Sequence, residues 1–439
     1  MQVERIDWTL RLRLLMAAVA ACGVLGCATA GGDRPDSERG GHNRLEADQR
    51  RQVLTGLDVL ERDGFDRLTA GRVALIGNHS SINRRGRHLL DLIRENPDVE
   101  LAALFSPEHG FRGTKDEAVE DGVHEETGLP IYSLYGQTRV PTDDMLEGID
   151  VAVFDMQDIG ARFYTYISTM GEFMSKAEEH GIRFIVLDRP NPIQGNWFDG
   201  PIQDDDLVGR FTSFVRMPVA HGMTVGEIAK LYHEFHDIRP DLEVVPMEGW
   251  ERDRYFDETG LPWVNPSPNM RSVDEELLYT MVALTEGNHD LSVGRGTDRP
   301  FEYLGAPWVD GRALADNLNA RELPGLWFMY STFIPSATDI SGRRNPGYPH
   351  VGEVCHGFRV VITDRHSVSP VAAGIHMLDA LLEVHPDEFS TERIRGSIGA
   401  GWVLDALNDR EAPEKIIARW RASDGFRDFA DRRRRVLMY

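Results

Sequence analysis

Short, continuous apolar runs alternate with stretches of helical periodicity through the first half of the chain. Four runs have the length and branched-residue content of buried strands: Arg72–Gly77, Val99–Phe105, Val151–Phe154 and Arg183–Leu187. Between two of them, apolar residues recur at helical spacing over Met170–Ala177, and Gly181 follows where a C-terminal cap belongs. Continuous apolar strands separated by helices predict an α/β domain with a doubly wound parallel sheet.

The pattern changes near residue 275. The segment Pro262–Pro268 is rich in Pro and Asn, which is typical of a connection between domains. Beyond it, Phe358–Thr363 has the pattern of a strand, and Ser369-Pro370 starts an amphipathic helix. We therefore predict a larger domain at residues 52–275 and a smaller mixed α/β domain at residues 276–439.

The first residues have the features of an export signal. Arg11 and Arg13 precede the apolar run Leu14–Gly26, whose 13 residues fall short of the roughly 20 that span a bilayer. The run ends in Val24–Cys27, which resembles a bacterial lipobox and implies cleavage before Cys27 and lipidation of its thiol. The alternative is a plain signal peptide with a chance cysteine. We expect a signal peptide at residues 1–26, a flexible tether at 27–51, and an exported lipoprotein anchored in the cell envelope, facing the periplasm.

Composition and charge limit the classes of molecule that the protein is expected to bind. The 439 residues carry a net charge of −23, which disfavours nucleic acid and anionic membrane surfaces as general partners. An anionic small substrate needs only local arginines. The first strand–helix turn lacks a Gly-rich dinucleotide fingerprint, so we expect no cofactor. If Cys22 leaves with the signal and Cys27 is acylated, Cys355 stands alone and no disulfide framework exists.

Polar side chains cluster where the predicted strands end. They are Asn78, Glu108, His109, Asp155, Asp158, Asp188 and Arg189. In a parallel sheet these ends share one edge, where ligands bind. Asp155 and Asp158 are followed by Arg162 and tyrosines, which suits acid/base chemistry or the binding of a polyhydroxylated ligand. The structural alternative for each aspartate is a salt bridge or a helix cap.

Glu108 is the best candidate for a general acid. Glycoside hydrolysis commonly needs a protonated carboxyl group near the leaving oxygen and a second carboxylate, unless the acetamido group of the substrate attacks instead. Glu108 follows Pro107 at the mouth of an apolar strand, where partial desolvation favours the neutral acid. Arg295 lies between Gly294 and Gly296, a geometry that can direct a guanidinium at an anion; the alternative is an ordinary tight turn.

Other hydrolytic chemistries have weaker support. His79, His109, His221 and His289 lie in polar loops, but none has the spacing of a known metal motif. We therefore expect no metal site and keep a metal-dependent hydrolase as a less favoured alternative. The chain has no Gly-x-Ser-x-Gly nucleophile elbow.

Several motifs together resemble the NamZ-type family of exo-β-N-acetylmuramidases, formerly a domain of unknown function. They are Phe105–Gly113, Leu129–Gly136, Asp155–Tyr166, Asp188–Pro192, His221–Thr224 and Ser292–Phe301. The resemblance covers about residues 52–439 and implies a Rossmann-like domain, a smaller C-terminal domain and a cleft between them. It also implies release of terminal N-acetylmuramic acid from peptidoglycan fragments, with Glu108 as the catalytic glutamate. The segment Glu286–Asp290 departs from the family pattern by one inserted residue.

Our hypothesis assigns a role to each candidate. Glu108 is the general acid, and Asp155 or Asp158 is the second carboxylate or orients the acetamido group. Candidates for binding the muramyl saccharide are Asn78, His109, Arg162, Tyr132, Tyr135, Arg295 and Asp298. Among them, Tyr132 and Tyr135 suit stacking on sugar faces, and Arg295 suits the lactyl carboxylate. The rival hypothesis is a non-catalytic lipoprotein that binds peptidoglycan sugars.

Overall fold

A computed structural model describes residues 52–108, 121–135, 137–338, 342 and 344–439. The predicted signal peptide and tether, Cys27 and His109 therefore lie outside the described residues. Within the described ranges, no helix is both long enough and apolar enough to cross a membrane. These residues belong to one compact unit.

A large, mostly parallel sheet dominates the first part of the described chain. Its strands are β1 (Arg72–Gly77), β2 (Glu100–Ser106), β3 (Gly122–Val123), β4 (Pro130–Ser133), β5 (Val151–Asp155), β6 (Arg183–Leu187) and β7 (Leu242–Val245). The spatial order is β3-β4-β2-β1-β5-β6-β7, and only β3 runs antiparallel to its neighbour. Counted without β3, the parallel strands have the 3-2-1-4-5-6 order of the Rossmann fold. The prediction of a doubly wound parallel sheet is confirmed.

Strand alternation divides the apolar residues between the two faces of the sheet. Ala74 and Ile76 belong to one hydrophobic cluster, whereas Val73 and Leu75 belong to another. Because successive side chains of a strand point to opposite faces, both faces must be covered. This requirement explains why the central strands are apolar throughout rather than alternating.

Helices cover both faces of this sheet. The elements α1 (Gly56–Arg62) and α2 (Leu89–Arg94) pack on one face, and α3 (Tyr166–His180) and α4 (Val225–Phe235) pack on the other. Gly181 ends α3 with a left-handed φ of 67°, as its position predicted. Thr224 and Glu227 form the predicted capping box of α4.

The rest of the described chain forms a smaller mixed α/β part. Strands β8 (Tyr303–Ala306), β9 (Leu326–Phe333) and β10 (Cys355–Ile362) make an antiparallel sheet in the order β8-β10-β9. The helices are α5 (Val273–Val282), α6 (Gly311–Asn319), α7 (Pro370–Val384), α8 (Arg395–Ile398), α9 (Gly401–Asn408), α10 (Pro413–Arg421) and α11 (Asp424–Val436). The predicted strand and the helix start at Pro370 are confirmed.

The two parts share a hydrophobic core. Phe173 of α3 and Leu378 of α7 belong to the same buried cluster. Gly374 permits the close approach of α7 to the end of α5, since a Cβ there would lie 3.1 Å from the Met281 carbonyl oxygen and 2.5 Å from Leu284 Cδ1, just beyond the helix. The boundary that we predicted at residue 275 falls inside α5. This helix therefore carries the chain from one part to the other.

Candidate active site

A cavity of about 260 Å³ lies at the carboxyl end of β2. Three chain segments meet there: the end of β2, the connection between α5 and β8, and the connection between β9 and β10. Its walls are formed by Glu108, Glu286, His289, Leu291, Val293, Arg295, Asn345, Gly347, Tyr348 and Pro349. The cavity thus joins the large sheet to the C-terminal part, at the edge where parallel sheets bind ligands.

Glu108 enters the cavity from the large sheet. Strand β2 ends at Ser106, because Pro107 cannot donate a ladder hydrogen bond. Thr165, the residue before α3, donates a hydrogen bond from its hydroxyl group to Glu108 Oε2 at 2.6 Å. The carboxyl group is partly buried and its orientation is held by this contact.

Arg295 and Glu286 form an ion pair in the part of the wall that the C-terminal part supplies. Arg295 Nε lies 2.6 Å from Glu286 Oε1, and the side chains are 25% and 26% exposed. Gly294 and Gly296 have φ angles of 79° and 81°. A Cβ at Gly296 would lie 2.3 Å from the Ser336 carbonyl oxygen, so the turn that presents Arg295 requires glycine there.

Tyr279 of α5 lies beside these charged groups. Its ring packs edge-on against Phe163 and Phe301, at centroid distances of 5.1 and 4.7 Å. Arg295 lies over the Phe301 ring, with Cζ 4.9 Å from the ring centroid. Burial raises the pKa of the Tyr279 phenol well above its usual value, and Glu286 adds to the rise. The phenol is therefore a hydrogen-bond donor at neutral pH.

The structure removes Asp155 and Asn78 from the cavity. Asp155 is fully buried and accepts two hydrogen bonds from Arg189, from Nε to Oδ1 at 2.5 Å and from Nη2 to Oδ2 at 2.9 Å. Burial raises the pKa of the Asp155 carboxyl group, and Arg189 opposes the rise. Asn78 is also fully buried, and its Oδ1 accepts hydrogen bonds from both the backbone and the hydroxyl group of Ser80. At the carboxyl ends of β1 and β5, both side chains therefore make hydrogen bonds within the protein. We had expected them to contact substrate.

Asp158 and Arg162 are likewise buried in internal contacts. Asp158 Oδ2 accepts hydrogen bonds from the Gly160 backbone at 2.7 Å and lies 3.1 Å from His221 Nε2. Arg162 Nη2 donates to the Ser397 carbonyl oxygen at 2.6 Å, which ties the large sheet to α8. Burial lowers the pKa of the Arg162 guanidinium to about 9. Neither side chain lines the cavity.

The remaining binding candidates among the described residues lie outside the cavity walls. Tyr132 packs its ring 5.3 Å from the ring of buried Phe105. Tyr135 faces Phe211, with ring centroids 6.0 Å apart. Asp298 is exposed and lies beside Arg299. Of the substrate-binding candidates in the described chain, Arg295 is therefore the one whose side chain lines the cavity.

Glu286, Thr165 and Tyr279 were not predicted as site residues. Glu286 was noted only for its departure from the family spacing, although a carboxylate shortly before the glycine-flanked Arg295 was an available signal. In the part of the chain that the structure describes, the group of acidic and histidine ligand atoms close enough to share a metal ion is Asp143, Glu179 and His180. All three are exposed and none lines the cavity.

Comparison with known proteins gives a consistent family. The family models described as the N-terminal and C-terminal parts of exo-β-N-acetylmuramidase NamZ match residues 73–274 and 277–439. The chain is 37% identical over 432 residues to the peptidoglycan β-N-acetylmuramidase NamZ of Bacillus subtilis (strain 168). The aligned region covers 97% of this chain and 100% of that protein.

Two solved structures of DUF1343 family proteins from Bacteroides fragilis NCTC 9343 have similar folds. The first is 33% identical with a TM-score of 0.80, and the aligned region covers 89% of this chain and 99% of the chain in that structure. The second is 29% identical with a TM-score of 0.70, and it covers 88% and 99%. The similarity extends over both parts of the fold.

Proposed function

The chain belongs to the exo-β-N-acetylmuramidase NamZ family, and we propose that its cavity releases terminal β-linked N-acetylmuramic acid from peptidoglycan fragments. The activity of the family makes the protein a glycoside hydrolase. One observation carries the assignment of the site: Glu108 shares a single small cavity with the Glu286–Arg295 pair. An acid, a second carboxylate and a cation in one cavity are the groups that an acidic amino sugar requires.

Glu108 supplies the proton to the leaving oxygen. Because Oε2 accepts the hydrogen bond from Thr165, the acid proton is placed on Oε1. Transfer from Oε1 to the glycosidic oxygen lets the bond to the anomeric carbon break with its electron pair on the leaving sugar. The Thr165 contact also stabilises the carboxylate that this transfer leaves behind.

Glu286 takes the role that we first gave to Asp155 or Asp158. Those aspartates are buried in contacts with Arg189 and His221, whereas Glu286 lies in the cavity wall with Glu108. Its carboxylate has three possible roles: it attacks the anomeric carbon, it removes a proton from the water that attacks this carbon, or it orients the acetamido group for attack. The ion pair with Arg295 holds the Glu286 carboxylate in the cavity wall.

A Glu108→Gln variant tests this assignment. The amide keeps the shape of the side chain but has no acid proton, so kcat on a chromogenic β-N-acetylmuraminide should fall by about 10²- to 10⁴-fold. Affinity for N-acetylmuramic acid should change little. Glu100→Gln is the matched control, since Glu100 lies at the amino end of the same strand and is exposed. Turnover at the wild-type rate in Glu108→Gln would refute the role of Glu108, and wild-type protein without turnover would favour the non-catalytic binding protein.

We also propose that the protein is exported and anchored to the cell-envelope membrane through a lipid on Cys27. The support is the sequence of charged, apolar and lipobox-like segments that ends at Cys27. Multiple acyl chains hold a protein firmly on a membrane, whereas one binds it only marginally. Cys27→Ser should release the protein into the soluble fraction, while Cys22→Ser should not. Sedimentation of Cys27→Ser with membranes would contradict the proposal.

A further inference from the structure

A second cavity, of about 740 Å³, lies among different segments of the chain. Its walls come from the segments after β6 and after β7, the turn before α7 and the junction of α10 with α11. The wall residues are Gln194, Asn196, Trp197, Phe198, Asp199, Asp253, Tyr255, Arg365, His366, Ser367, Val368, Ser369, Arg421 and Phe426. None of them lines the catalytic cavity. The loop in the wall of the catalytic cavity precedes β10, whereas the turn in the wall of the second cavity follows it.

The arginines of this cavity are paired with carboxylates. Arg421 Nε donates to Asp199 Oδ1 at 3.0 Å, and Arg365 Nη1 donates to Asp257 Oδ2 at 2.8 Å. Asp253 adds a carboxylate to the wall. An anionic ligand would meet Asp199 and Asp253 as well as the arginines, so the cavity has no electrostatic preference for a free anion. Paired charges do present fixed donors and acceptors side by side, which suits hydroxyl groups that both donate and accept.

Aromatic side chains provide the apolar part of the wall. Trp197 is partly exposed and lines the cavity. Phe198 packs against Phe426 with ring centroids 4.8 Å apart. Trp and Tyr combine a broad apolar surface with a polar edge, which matches a ligand that has both C–H faces and hydroxyl groups.

The wall is held in place by internal contacts. The Tyr255 hydroxyl group donates to the Arg365 carbonyl oxygen at 2.8 Å, and the Arg365 guanidinium lies 4.3 Å from the Tyr255 ring centroid. Gln194 has a left-handed φ of 77° and donates from its side chain to the Asp253 carbonyl oxygen. A wall that is fixed before the ligand arrives loses less conformational entropy on binding.

We propose that this second cavity is a glycan-binding site, which holds a segment of peptidoglycan sugar chain other than the sugar being released. The inference rests on the proposed function, because that function supplies a polymeric saccharide as the substrate. The volume lies within the range of about 300–1,000 Å³ that is usual for ligand sites, and it exceeds that of the catalytic cavity. Binding there keeps the enzyme on its polymer between hydrolytic events.

The test measures binding and hydrolysis separately. Retention on insoluble, peptide-free peptidoglycan glycan is measured in the Glu108→Gln background, so that the polymer stays intact. Trp197→Ala removes the largest aromatic side chain of the wall, and Ser367→Trp fills the cavity from an exposed position. Trp327→Ala is the matched control, since Trp327 is 53% exposed on β9 and lines neither cavity.

We expect Trp197→Ala and Ser367→Trp to lower retention at least tenfold and Trp327→Ala to leave it unchanged. With Glu108 restored, all three should hydrolyse the small chromogenic muraminide within twofold of the wild-type rate. Retention equal to wild type in both cavity variants would overturn the proposal, and so would competition by free stem peptide but not by N-acetylchitotetraose. Loss of hydrolysis of the small substrate in Ser367→Trp would place this cavity in the catalytic machinery and also overturn it. Loss of retention in the cavity variants tests the glycan-binding site, whereas turnover of the wild-type protein and of Glu108→Gln tests the proposed function, so the two proposals can fail separately.

Discussion

Arg295→Ala tests how the enzyme distinguishes its substrate from N-acetylglucosamine. N-acetylmuramic acid differs by a lactyl ether that carries a carboxylate, and a protein with a net charge of −23 repels that group in general. The catalytic cavity therefore needs a local cation. Arg295 is in the cavity wall, where Glu286 accepts from its Nε. A guanidinium has five N–H donors, so one group can serve both carboxylates.

The structure sets the size of the expected effect. A hydrogen bond to a charged group contributes about 1.5–3 kcal/mol, which corresponds to about ten- to a hundred-fold in rate. The side chains of Arg295 and Glu286 are 25% and 26% exposed, so solvent screens part of the interaction. We therefore expect Arg295→Ala to lower kcat/KM for the muraminide by about tenfold more than for the matching glucosaminide.

The assay compares kcat/KM for the two chromogenic sugars. Arg299→Ala is the matched control, because Arg299 lies on the same loop, pairs with Glu302 and does not line the cavity. Arg295→Lys should fall between wild type and Arg295→Ala, since lysine keeps the charge but loses the planar fork. Equal losses on both sugars would refute lactyl recognition and would mean that Arg295 acts only through Glu286 or the fold.

Two buried aspartates and the absence of a metal motif lead to three further predictions. Asp155→Asn should lower the free energy of unfolding in urea by about 3–5 kcal/mol, because it leaves buried Arg189 without its carboxylate; the exposed Asp241→Asn should have little effect. Burial raises the pKa of Asp188 from 3.8 to about 7. Between about pH 4 and 7 the folded protein therefore binds more protons at Asp188 than the unfolded chain does. The free energy of unfolding should fall by up to about 4 kcal/mol as the pH rises through this range. Asp188→Asn should flatten that slope, and an unchanged pH profile would contradict the shift. Activity should survive exhaustive chelation, and a loss that zinc restores would favour a metal-dependent hydrolase.

The sequence by itself determined the architecture of the large sheet. Its central strands are apolar throughout because both faces are covered, and that pattern is local and visible in the chain. Gly181 and the Thr224–Glu227 pair marked a helix end and a helix start for equally local reasons. Glu108 and Arg295, which line the cavity, were also proposed from short signals, a proline that ends a strand and a glycine on each side of an arginine.

Only the tertiary structure decided which charged groups share the cavity. Asp155, Asp158 and Glu108 all follow strands, and nothing local distinguishes a carboxylate that will be buried against Arg189 or His221 from one that faces substrate. Glu286 reaches the cavity because the C-terminal part folds against the end of β2. Burial and ion pairing depend on residues distant in the chain, and these long-range contacts set both the charge state of a carboxyl group and its access to solvent.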